Sequence, residues 1–153
     1  EIKKIIPPPT LDLAACNPPY KAVGAGLRNP DERMENARHE CTCTLEDVAK
    51  AGRDVLRFGG RLCLCQRPER LADAMNVFRS YGLEPKRLQL VQQSINTAPS
   101  LFLLEVRRGG KPGLSVLPTL IIEDENGGFS AEMLEIYGNY KFGHEGGRAD
   151  GRK

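Results

Sequence analysis

Asn17, Pro18, Pro19 and Tyr20 close an apolar run that begins at Leu11, and these residue types in this order could do chemistry. Each proline fixes its own φ and pushes the residue before it toward extended geometry. The main-chain carbonyl of Pro18 is therefore held stiffly and has no strand partner. The Asn17 side chain offers a second carbonyl oxygen beside it. Two preset acceptors suit a planar –NH2 group, whose nitrogen is a poor nucleophile because its lone pair is delocalised. Gripping both hydrogens favours a pyramidal nitrogen and frees that lone pair, with no reorganisation at the moment of reaction. Tyr20 could stack on a flat substrate, worth roughly 1–3 kcal/mol for a nucleobase. The plain alternative is a turn, since Asn-Pro favours turn initiation. Position along the chain decides between the two.

The elements that must position this stretch can be read from periodicity. Residues 1–10, with Pro7, Pro8 and Pro9, read as an extended lead-in. Leu11–Cys16 reads as a short buried strand, and residues 17–43, rich in Pro, Gly and charge, as a long loop of the kind that is usually functional or mobile. Thr44 with Asp47 resembles a helix cap. Leu45, Val48, Ala49, Val55 and Leu56 then mark one helical face, which should stop at Gly59-Gly60. Arg61–Gln66 follows, its "LCLC" expected to be buried on both faces. Pro68 suits a first helical turn. Leu71, Ala74, Met75 and Phe78 stripe the next helix, and Gly82 ends it. Strands are expected at 86–92 and 101–106.

Spacing then sets the topology. Two helical connections allow the first three strands to lie parallel, whereas the eight residues 93–100 are too few for a parallel crossover, so the last strand should be antiparallel. The fold class is α/β, with three parallel strands, one antiparallel strand and flanking helices. In such sheets ligands sit beyond the carboxyl ends of the strands, where Asn17 stands. After this come the basic "RRGGKPG", a weaker tail to residue 140, and a disordered stretch over 141–153.

Composition narrows the class without naming a partner. The formal net charge is only +2, no apolar run could span a bilayer, and no signal peptide is visible. The five cysteines, Cys16, Cys41, Cys43, Cys63 and Cys65, lack zinc-knuckle spacing and read as small core residues in a reducing compartment, without a metal. A metal role for His39, Cys41 and Cys43 is the weaker alternative. The expected location is the cytoplasm. Arg107, Arg108 and Lys111 flank glycines after the last strand and could meet RNA phosphates. Phe58, Phe78 and Tyr81 read as core. The chain opens on Glu1 rather than Met, so a processed or truncated start is expected.

The blocks "CNPPY", "ARHECTCTLEDV", "GGRLCLCQRPERLAD", "GLEPKRLQLV" and "GGKPGLSVLPTLII" follow one another in a way that resembles bacterial tRNA (adenine-N(6))-methyltransferases of the valine-tRNA type, over residues 11–140. The resemblance implies a Rossmann-like class I methyltransferase fold, S-adenosyl-L-methionine as methyl donor, and an adenine of the tRNA anticodon loop as substrate. It places Asn17, Pro18, Pro19 and Tyr20 in the catalytic motif, with Asn17 also facing the cofactor, and involves Arg38, His39 and Glu40 in substrate or loop positioning. Family members begin with a glycine-rich cofactor strand that nothing here supplies. The resemblance is thus to a C-terminal half, whose partner is the missing N-terminal half, and weak cofactor binding is expected of the chain alone. A glutamine-amide methyltransferase of release factors and an inactive RNA-binding remnant are the alternatives.

Overall fold

A computed structural model describes residues 9–18 and 43–137. Strand β1 (Leu11–Cys16) pairs parallel with β2 (Leu56–Gln66), Cys16 lying opposite Leu64. Strand β4 (Leu101–Arg108) is inserted between β2 and β3 (Leu83–Gln92) and runs antiparallel to both. The order is β1-β2-β4-β3; β4 is antiparallel, as the short connection over 93–100 requires, and β1, β2 and β3 all point the same way. Beyond β3 lie two short parallel strands, β5 (Ser115–Val116) and β6 (Leu120–Ile121).

Helix α1 (Leu45–Val55) starts at a reciprocal cap. The Asp47 amide donates to Thr44 Oγ1 at 3.1 Å, and the Thr44 amide donates to Asp47 Oδ2 at 3.0 Å. The helix stops earlier than periodicity indicates, because Leu56 is already extended and opens β2. Gly59 and Gly60 therefore do not end a helix; they lie within β2. Gly59 has φ +80°, and a Cβ on Gly60 would fall 2.9 Å from the Leu11 carbonyl. They form the irregularity between the Leu11 and Leu13 pairings, which only glycine accommodates. After a 3-10 turn over Pro68–Arg70, α2 (Leu71–Ser80) ends at Gly82, whose φ is +73°.

Helices α1 and α2 cover one face of the sheet. Val48, Ala49, Ala74 and Phe78 pack there on Leu62, Leu64, Phe102 and Leu104. The described residues cover the other face only in part: α3 (Ala131–Tyr137) brings Met133 against Val91 and Leu101, residues of opposite strand parity to the main core. Between them an open depression of about 320 Å³ is lined by Ala15, Cys63, Cys65 and Leu103, with Arg87 and Gln89 beyond.

Several sequence expectations change here. "LCLC" is not buried on both faces: Leu62 and Leu64 are, while Cys63 and Cys65 are half-buried on the open side. Strand β1 lies at the end of the strand order, and Leu13 is 53% exposed. Phe58 is not core; it is 75% exposed. Phe78 is fully buried, and Tyr81 packs at the core edge under the Arg53 guanidinium, 5.5 Å from its ring centre. The tail holds β5, β6 and α3. Most of the lead-in and all of 141–153 lie outside the described residues.

Candidate active site

The carboxyl ends of β1, β2 and β3 form one rim. At its end Asn17 is exposed and Pro18 buried, so the chain leaves the sheet with its proline ring anchored. The β1–β2 register places Gln66 two residues beyond Leu64, level with Pro18. Gln66 is only 3% exposed, the buried polar side chain among the described residues, and its Oε1 accepts from the Arg67 amide at 2.9 Å. A buried carboxamide is retained where its hydrogen bonds are met. Sequence reading passed over it, though a Gln ending an apolar strand was the available signal. Further along the rim, Gln92 Nε2 donates to the Ser94 carbonyl at 3.0 Å and braces the turn that Thr97 closes onto Ser94.

The first turn of α1 returns to the same rim. The Cys16 thiol is pushed above its ordinary value by burial and by nearby Cys43, so the end of β1 and the start of α1 are neighbours. Pro18 and Cys43, the described residues on either side of 19–42, thus both lie at this rim. Pro19, Tyr20, Arg38, His39, Glu40 and Cys41 lie outside the described residues.

Arg107, Arg108 and Lys111 are elsewhere. Arg107 pairs with Arg61, three residues before the Leu64 level, and β4 runs away from the rim. At about 3.3 Å per residue Arg107 stands roughly 13 Å from Asn17 along the strands, and Arg108 and Lys111 lie farther. Arg108 Nη1 donates to the Leu56 carbonyl, and the Lys111 carbonyl accepts from Lys86 Nζ at 3.0 Å. The structure does not bring these residues to the Asn17 site.

No family model matches the chain. Among solved structures it matches a predicted O-methyltransferase from Agrobacterium tumefaciens with a TM-score of 0.60, covering 82% of this chain and 50% of that one at 18% identity. The fold is of the Rossmann-like class I methyltransferase type. By sequence the chain is 31% identical over 128 residues to a tRNA1(Val) (adenine(37)-N6)-methyltransferase from Porphyromonas gingivalis, covering 82% of this chain and 49% of the relative. It is 29% identical over 127 residues to the protein of the same name from Parabacteroides distasonis, covering 82% of this chain and 52% of that relative. The chain spans about half the length of the curated relatives it matches. In this methyltransferase-type sheet, Asn17 and Pro18 sit beyond the carboxyl end of a parallel strand, where ligands bind in open α/β sheets.

The described residues do not fit a cradle for S-adenosylmethionine. Such a cradle needs a glycine turn between a strand's carboxyl end and a helix. Gly59, Gly82, Gly109 and Gly113 have positive φ but lie toward the opposite end, and Gly127 belongs to a tight turn closed by Asp124. Among the described residues, no cluster of His, Cys, Asp and Glu is placed to hold a metal ion. No helix there is long and apolar enough to cross a membrane.

Proposed function

We propose that this chain is the amine-binding half of an S-adenosylmethionine-dependent tRNA adenine-N6-methyltransferase acting in the anticodon loop. The observation that carries the reading is Asn17-Pro18 at the rim of a methyltransferase-type sheet. The names of the relatives support adenine in tRNA over a release-factor glutamine. When bound, S-adenosylmethionine supplies the methyl group. Its glycine cradle belongs to the other half of the catalytic domain, which in this reading pairs along β1. Leu13, exposed on that terminal strand, is consistent with such a neighbour.

The chain's own part is to bind and orient the amine. Asn17 Oδ1 and the Pro18 carbonyl accept the two hydrogens of the adenine N6, holding it in the pyramidal form whose lone pair can react. Pro18 is anchored in the protein and Pro19 fixes its ψ, so the acceptor does not drift. Tyr20 stacks on the base, while Arg38 and His39 contact the RNA near it. A loop base is already partly unstacked and costs less to extrude than one in a duplex.

The test is transfer of labelled methyl to tRNA by the protein carrying both halves. Label in the anticodon-loop adenine supports the reading; label in release factor, or none in either acceptor, rejects it.

A further inference from the structure

The end of the sheet opposite Asn17 carries an exposed aromatic ring inside a basic surface, and the catalytic reading does not use it. Phe58 is 75% exposed, yet it is not a dangling side chain. Its ring lies against Gly109, where an added Cβ would fall 2.1 Å from Phe58 Cε2. Gly109 itself has φ +65° and directly follows Arg107 and Arg108 at the end of β4. Backbone geometry therefore sets the ring beside that arginine pair.

Among the described residues, cations at this end outnumber the carboxylates that could pair with them. Its carboxylates are already paired: Asp12 with Arg57, Asp54 with Arg53 at 3.3 Å, Glu84 with Arg79 at 3.3 Å, and Glu105 with Arg61 at 3.6 Å. Among the described residues, no carboxylate forms an ion pair with Arg107, Arg108, Lys86 or Lys111. Among the described residues, the Asn17 rim carries charges of both signs, Glu46 and Asp47 in the first turn of α1 and Glu69 between Arg67 and Arg70 before α2. Unpaired cations at the far end attract a polyanion. An exposed ring among cations matches what an unpaired nucleotide requires, a face for the base and charge for the flanking phosphates.

We propose that Phe58, Arg107 and Lys111 form a second RNA contact, distant from the methylated base, in which Phe58 stacks on an unpaired base and the two cations hold neighbouring phosphates. It rests on tRNA being the substrate. This contact supplies affinity and register while the rim supplies chemistry, the division expected when phosphate contacts position and base contacts specify.

The experiment compares Phe58→Ala, Phe58→Trp, Arg107→Ala with Lys111→Ala, and the charge control Lys50→Ala, in the protein carrying both halves. Binding of a tRNA transcript is measured against salt, alongside methyl transfer at saturating tRNA. Because Phe58 is exposed, its variants should keep the parent Tm. Phe58→Ala should weaken binding about tenfold or more, with Phe58→Trp restoring it. The Arg107/Lys111 pair should lower the salt slope by about 0.7–0.9 per contact, with Lys50→Ala unchanged and the saturated rate kept in every variant. Unchanged affinity and slope overturn the inference, as does equal weakening by Lys50→Ala. If the parent protein methylates tRNA but the variants match it, only this contact falls. If the parent neither binds nor methylates tRNA, the functional reading falls with it.

Discussion

Adjacent residues on β4 should differ sharply in what they contribute to stability. Phe102 is fully buried on the helix face, opposite Gln66 on one side and Leu90 on the other. Leu103, one residue on, points to the open face and is 37% exposed. Phe102→Ala removes a buried ring beneath two helices and should cost about 3–5 kcal/mol. Leu103→Ala leaves no enclosed cavity and removes only part of a side chain's transfer energy, about 1 kcal/mol or less. Urea unfolding followed by far-UV circular dichroism measures both. With a slope of about 1–3 kcal/mol per molar, the two midpoints should lie on the order of 1 M apart. Phe102→Leu keeps the contrast measurable if the alanine variant does not fold. Equal losses, or a larger loss at Leu103, would refute the assignment of faces, because a one-residue slip of β4 exchanges every side chain across the sheet.

Gly82→Ala should cost about 1–2 kcal/mol through backbone strain alone, since φ is +73° and an added Cβ meets nothing within 4 Å; thermal unfolding checks it. The Thr44 amide and, second, its hydroxyl hold the Asp47 carboxyl below its usual value. A depressed carboxylate stabilises the fold above its unfolded pKa of about 3.9 and loses that contribution as pH falls through the lower folded value. Unfolding midpoints from about pH 5 down to pH 2 should therefore fall less steeply in Asp47→Asn than in the parent. Burial, then nearby Glu105, pushes the Cys63 thiol up against the opposing effect of Arg61 and Arg87. Its alkylation at pH 8 should be slower than that of a free thiol of ordinary pKa and should accelerate above pH 9, as mass spectrometry of the labelled chain would record.

Local signals in the sequence carry much of this fold. Thr44 and Asp47 announce the start of α1, and the eight residues between β3 and β4 force a reversal that the sheet displays. The insertion of β4 between β2 and β3 is a long-range pairing that no window of sequence contains. Gly59-Gly60 reads as a helix stop because a left-handed residue serves a C-cap and a strand irregularity equally well; only the partner strand distinguishes them. Leu103, Leu13, Cys63 and Cys65 are apolar enough to pass for core, and their exposure follows from which face α1 and α2 cover. Phe58 reads as core because the helix is expected to run to Gly59-Gly60, whereas α1 ends at Val55 and leaves Phe58 in β2. At the site, Asn17 and Pro18 were legible because prolines impose geometry locally. Gln66 was not, because its burial comes from strands brought together across the fold.

The central claim is that Asn17 and the Pro18 carbonyl grip the amine while methyl is transferred. Single-turnover transfer to tRNA by Asn17→Ala, in the protein carrying both halves and at saturating tRNA, tests it most directly. Loss of one preorganised hydrogen-bond partner should slow the chemical step by about a hundredfold or more with tRNA affinity little changed. A rate within a few-fold of the parent would contradict the account.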